Sequence, residues 1–131
     1  MKRVGLVILI GCLAMVVLVA VGEAHKRGIK TSVRITKIEV LSDTQAKYTG
    51  TVRSKRRQCV DTRSVRLTHI IPGKDFLIGI AATDKSGNWM LTGPKPPKGD
   101  RVKARVSGLT YKKNRNHKHR CKSGKHKRTS P

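Results

Sequence analysis

Between Val33 and Val106 the apolar residues of this chain recur at every second position, in short runs broken by Gly, Pro, Asn, Asp and Ser. A period of two places alternate side chains on opposite faces of an extended backbone, so the pattern predicts strands with one buried face. Val33, Ile35, Ile38 and Val40 mark the first, and the slip between Ile35 and Ile38 predicts a bulge. Tyr48 and Val52 then alternate with Lys47, Thr49, Thr51 and Arg53, and Val65 and Leu67 with Ser64, Arg66 and Thr68. Phe76, Ile78 and Ile80 form a longer apolar face that ends at the turn 84–88 and returns through Trp89 and Leu91. Residues 93–100 hold three prolines and are expected as a loop, after which Val102, Ala104 and Val106 alternate with Arg101, Lys103 and Arg105. Six such segments, without an amphipathic helix of useful length, predict an all-β two-sheet sandwich. All fourteen residues from Val33, Ile35, Tyr48, Val52, Val65, Leu67, Phe76, Ile78, Ile80, Trp89, Leu91, Val102, Ala104 and Val106 are expected inside. They suffice for a thin core but not for a deep pocket as well.

The chain has 131 residues, with 30 Lys+Arg against 7 Asp+Glu and 3% aromatics. That excludes a multidomain enzyme, a polytopic membrane protein and an acidic disordered tail. Met1-Lys2-Arg3 precedes an apolar run from Val4 to Val21, and Val21-Gly22-Glu23-Ala24 puts small residues at the −3 and −1 places of a cleavage site, so residues 1–24 are expected as a signal peptide and the protein as secreted. The alternative is membrane anchoring by an uncleaved signal, because the run 4–22 is close to the length of about 20 residues that spans a bilayer. Residues 25–31 then form a basic leader, 32–121 the sandwich, and 122–131 a basic, flexible tail. Cleavage leaves 107 residues with 28 basic and 6 acidic side chains, a net charge of +22. It also removes Cys12 and leaves Cys59 and Cys121, which are expected to form a disulfide in an oxidising compartment. Closing a loop of 63 residues is worth about 4 kcal/mol by chain entropy.

Three stretches carry a likeness: Tyr48-Thr49-Gly50-Thr51-Val52, then Cys59 followed by Val65-Arg66-Leu67, then Ile78-Gly79-Ile80 leading to Thr83-Asp84-Lys85-Ser86-Gly87-Asn88-Trp89. With the late Cys121, the chain resembles small secreted bacterial β-sandwich proteins of the carboxypeptidase regulatory-like and transthyretin-like (prealbumin-like) kind. The resemblance implies an immunoglobulin-like Greek-key sandwich of about seven strands, without catalytic residues, in an accessory, adhesive or carbohydrate-associated role. The chain departs from that pattern after Cys121, where Lys122-Ser123-Gly124-Lys125-His126-Lys127 stands in place of an alternating last strand.

The mature carboxylates Glu39, Asp43, Asp61, Asp75, Asp84 and Asp100 are scattered, mostly in turns, and no nucleophile elbow or phosphate loop is present. No enzyme activity, small-molecule substrate or cofactor is therefore expected. His25, which cleavage would make the first residue, and the set His117, His119 and His126 offer an alternative as copper or zinc ligands. Charge is the stronger signal. Lys55, Arg56 and Arg57 precede Cys59, and Lys112, Lys113, Arg115, Lys118 and Arg120 precede Cys121, so the disulfide would gather two basic runs into a polyanion-binding patch. The partners expected for an exported protein are anionic cell-wall polymers or acidic glycans, with non-specific nucleic acid as a further ligand. A cationic antimicrobial, membrane-active effector is the alternative from another class. Intact mass of the exported protein, before and after reduction and alkylation, is expected to show His25 as the first residue and both remaining cysteines oxidised; retention of residues 1–24 would support the anchor instead.

Overall fold

The computed structural model describes residues 28–115 and 117–131; residues 1–24, expected as a signal peptide, and His25 lie outside the described residues. The chain is all-β. Its strands are β1 (Thr31–Val40), β2 (Gln45–Ser54), β3 (Ser64–Ile71), β4 (Lys74–Ala82), β5 (Asn88–Pro94), β6 (Arg101–Val106), β7 (Leu109–Asn114), β8 (His117–Cys121) and β9 (Gly124–Thr129), with one short 3-10 turn at Arg57–Cys59. They form three antiparallel sheets in the orders β1-β2-β5, β4-β3-β6-β9 and β7-β8. The first six strands are the segments that apolar alternation predicts, and the register of β1 shifts between Ile35 and Lys37, where the slip predicts a bulge.

The two larger sheets share one buried cluster. Val33, Ile35, Ala46, Tyr48, Val52 and Trp89 enter it from one sheet, and Val65, Leu67, Ala81, Val102, Ala104 and Val106 from the other. The Tyr48 hydroxyl donates to the Pro94 carbonyl at 2.6 Å, and burial pushes its pKa up to about 12, so it stays a donor. Gly50 lies opposite Trp89 in the register, and a Cβ there would come within 2.3 Å of the indole and 2.1 Å of the Arg34 carbonyl oxygen. Only glycine lets the ring lie against the strand.

Strict alternation misplaces two residues of β4. Phe76 and Ile80, expected inside, are 45% and 56% exposed. Gly79 pairs with Leu67 but Leu77 pairs with Thr68, so Ile78 is an extra residue and the phase of the strand changes across it. Ala81 and Gly79 therefore share the inner face, while Ile80 stands outside, opposite Arg66. A Cβ on Gly93 would lie 2.8 Å from the Ile78 side chain and one on Gly79 2.9 Å from Leu91, so the glycines allow β4 and β5 to approach closely. The turn after β4 also differs from a hairpin, because β4 and β5 belong to different sheets and the chain crosses between them. Asp84 organises the crossing by accepting from the backbone N–H groups of Ser86 at 2.8 Å and Asn88 at 2.9 Å, which holds its carboxyl below its usual pKa.

The largest correction concerns the end of the chain. Residues 122–131 are not a free tail: β9 pairs with β6 from Arg101↔Thr129 to Val106↔Gly124. Its inner positions are Gly124, His126 and Arg128, which meet the edge of β1 instead of a hydrophobic core. The Ile35 N–H donates to His126 Nδ1 at 3.2 Å, and Arg128 donates to the carbonyls of Ile35, at 3.2 Å, and Thr36. A Cβ on Gly124 would lie 2.9 Å from the Thr31 carbonyl oxygen. A strand that satisfies backbone groups needs polar or minimal inner side chains, and this is why β9 lacks apolar alternation. The leader is also partly engaged, since Ile29 bridges Cys121 in parallel and Thr31 begins β1.

His126 can accept from Ile35 only while neutral. Burial, with the charges of Arg34 and Arg128 beside it, lowers its pKa from the ordinary 6.5. The unfolded chain thus takes up this proton more readily, so the contribution is fully present above the ordinary value and is lost as pH falls through the folded one. Urea unfolding is expected to show a larger loss of stability as pH falls below the ordinary imidazole value in the wild type than in His126→Asn, which retains an acceptor but does not titrate. Equal losses would remove His126 from the seam.

Candidate polyanion interface

Cys59 and Cys121 are joined, with Cα atoms 5.4 Å apart. The bond ties the 3-10 turn after β2 to the end of β8, at the pole of the sheets where β6 ends and β9 begins. Arg63 lies beneath it, 3% exposed. Its guanidinium donates to the carbonyl of Cys59 at 2.7 Å and to that of Ser107. Its backbone N–H donates to Thr83 Oγ1 at 2.6 Å, and that hydroxyl donates on to the Val60 carbonyl. Burial lowers the Arg63 pKa, and among the described residues no carboxylate pairs with it. The carbonyl oxygens of Cys59 and Ser107 accept from this cation in place of a carboxylate. Nothing in the sequence distinguishes Arg63 from its exposed neighbours, and only the position four residues after Cys59 could have singled it out.

The residues expected as one patch are distributed along an arm. β7 and β8 pair from Leu109↔Cys121 to Asn114↔His117. Lys112 faces Lys118, and Thr110 faces Arg120, so Lys112, Lys118 and Arg120 share one side of the hairpin. Lys113 sits at a register shift and Arg115 in the turn. Arg115 stands six residues from Cys121, about 20 Å along the arm at the usual rise per residue. Lys55, Arg56 and Arg57 are exposed at the base, next to the disulfide. The other side of the hairpin stacks Tyr111 on His119, with centroids 5.3 Å apart.

A second cationic surface follows from the register of the four-stranded sheet. On its outer face one row runs Ile80, Arg66, Arg105, Lys125, the next Leu77, Thr68, Lys103, Lys127, and the third Asp75, Ile70, Arg101, Thr129. Six cations thus share one face at spacings of about 4.8 Å between strands and about 6.8 Å along them. The only acidic residue in these rows is Asp75, which pairs with Lys103. Elsewhere carboxylates are used locally: Glu39 on Lys37 at 2.9 Å, and Asp100 on His69 at 2.7 Å. Arg66, Arg101, Lys103 and Arg105 were already legible as outward residues of their strands; Lys125 and Lys127 join them because β9 is a strand.

The histidines proposed as metal ligands lie apart. His117 and His119 are on β8, with His117 Nδ1 3.2 Å from Asn114 Oδ1, and His126 is turned to β1. Among the described residues no three His, Cys, Asp or Glu side chains are grouped as for a metal ion. Among the described residues, one shallow, open depression is bounded by Val52, Arg57, Val60 and Lys85 and another by Thr49, Thr51, Trp89 and Met90. No family model, curated protein or solved structure matches this chain.

Replacing Arg63 with Met removes the donor to the carbonyl of buried Cys59 and to that of Ser107. Urea unfolding is expected to register a loss of about 2–3 kcal/mol, while the exposed cations keep their arrangement. A neutral effect on stability would mean that water solvates this pole as well as the guanidinium does.

Proposed function

We propose that the protein is a secreted, non-catalytic module that binds anionic polymers or acidic glycans of the cell envelope by electrostatics. The observation that carries this is the outer face of β3, β6 and β9, where Arg66, Arg101, Lys103, Arg105, Lys125 and Lys127 meet a single carboxylate. Like charges set opposite one another on adjacent strands destabilise a sheet, so a ligand that neutralises them stabilises the fold as it binds. The hairpin cations Lys112, Lys113, Arg115, Lys118 and Arg120, with Lys55, Arg56 and Arg57 at its base, form a second contact surface. It springs from the pole between β6 and β9, next to the first surface.

An immunoglobulin-like Greek-key sandwich is the architecture we assign to β1–β6 and β9. The strand orders β1-β2-β5 and β4-β3-β6-β9, with one shared core, support it, and β7-β8 is then an insertion before the last strand. Kinship with carboxypeptidase regulatory-like and transthyretin-like domains rests on the motifs alone. The disulfide is compatible with an extracellular setting. Sequence-specific reading of nucleic acid is disfavoured, because Tyr48 and Trp89 are buried, Tyr111 is stacked on His119, and the half-exposed ring of Phe76 is covered by the Lys74 ammonium at 4.9 Å.

Binding by counterion release has a steep salt signature. With six contacts, affinity for long-chain polyphosphate is expected to fall about 10³-fold between about 50 and about 200 mM salt. Lys125→Glu with Lys127→Glu is expected to weaken low-salt binding far more than Lys47→Glu with Arg53→Glu, which alter the outer face of the other sheet. Salt-independent binding, or equal effects of the two pairs, would contradict this assignment.

A further inference from the structure

The cationic face is not uniformly polar. Its β4 margin presents Leu77 and Ile80, which are 50% and 56% exposed and are in register with Thr68 and Arg66. Beside them on β3, Ile70 is half-buried on the same face. An aliphatic margin thus borders a field of cations on one open sheet.

A soluble polyanion can neutralise the cations, but it gives Leu77 and Ile80 no apolar phase to enter. Both are aliphatic, so they also lack the flat ring that would stack on a sugar or a base. A second copy of this chain would bring its own cations against the first. An anionic bilayer supplies both requirements, since phosphate headgroups meet the ammonium and guanidinium groups and the acyl boundary lies about 5–10 Å below them.

We propose that the outer face of the four-stranded sheet docks on an anionic lipid bilayer, with Leu77 and Ile80 entering the interface while Arg66, Arg105, Lys125 and Lys127 hold phosphate headgroups. The proposal rests on the polyanion reading and names the bilayer as the surface this face takes. Long alkyl stems let the lysines keep their ammonium groups at headgroup level as the margin sinks. Neutral lipid is expected to be a poor target, because two half-exposed aliphatic side chains do not anchor a protein unaided.

The test is co-sedimentation with vesicles of phosphatidylcholine alone, or of phosphatidylcholine and phosphatidylglycerol in equal parts, beside binding to long-chain polyphosphate. The wild type is expected to bind the mixed vesicles and polyphosphate but not the neutral vesicles. Leu77→Ser with Ile80→Ser is expected to lose about 30-fold in vesicle affinity and to retain polyphosphate binding. Leu41→Ser, a comparably exposed site on the other sheet's β1–β2 turn, is expected to change neither. Trp89 fluorescence reports whether each variant keeps the core. Unchanged vesicle binding by the double variant, or a wild type that binds polyphosphate but not mixed vesicles, overturns the docking and leaves the polyanion reading in place. Failure to bind polyphosphate as well overturns both. A solution mass for the wild type twice that of Leu77→Ser/Ile80→Ser would assign the margin to a second copy.

Discussion

The hydrogen bonds that His126 and Arg128 make to the backbone at Ile35 and Thr36 decide what the rest of the molecule can be. β1 and β9 are the edges of their sheets on one flank, and an unpaired edge exposes donors and acceptors that invite further strands. Here side chains from one edge satisfy backbone groups of the other, at the bulge where β1 departs from regular pairing with β2. On the opposite flank, Gly79 and Gly93 bring β4 and β5 close, with Leu91 and Ile78 between them. Both flanks are thereby closed by polar, glycine and aliphatic contacts, and Tyr48 and Trp89 are the aromatic residues of the core between them.

The same seam creates the charge distribution. Once β9 is held beside β6, its inner residues are committed to β1 and its outer ones, Lys125 and Lys127, become a third column beside Arg105, Lys103 and Arg66. Repulsion across these columns works against the fold, and so does a net charge of +23 on so short a chain. Two features at one pole resist it: the Cys59–Cys121 bond, which restricts the unfolded chain, and Arg63, whose buried guanidinium links the 3-10 turn to the end of β6 through carbonyl oxygens. Neutralisation by the proposed polyanion would relieve a charge pattern that opposes folding.

Where strands bury apolar side chains, their positions were legible in the sequence. β1 to β6, the bulge after Ile35 and the pairing of Cys59 with Cys121 all follow from alternation and from the cysteines left after the expected cleavage. The reading fails where a strand faces something other than a core. β4 changes phase at Ile78, so its apolar residues cannot be assigned to one side by counting. β8 alternates histidine with cations, β7 carries Thr110, Tyr111, Lys112 and Lys113 in succession, and β9 carries Gly124, His126 and Arg128 inward because it meets backbone; in none of these does hydrophobicity mark the period. The hairpin patch was legible as composition, but its spread along an arm was not, since that depends on the register between Leu109 and Cys121. The face of the four-stranded sheet could be read only in halves, because the contribution of β9 depends on a strand the sequence does not announce.

Amide chemical shifts of the labelled protein titrated with long-chain polyphosphate at low salt test the central claim most directly, since they locate the contact residue by residue. The largest changes are expected at Arg66, Lys103, Arg105, Lys125 and Lys127, with smaller ones along Lys112, Lys118 and Arg120 and little at Arg34, Lys47 and Arg53. Changes confined to the hairpin, or spread evenly over both sheets, would contradict a binding face built by β9.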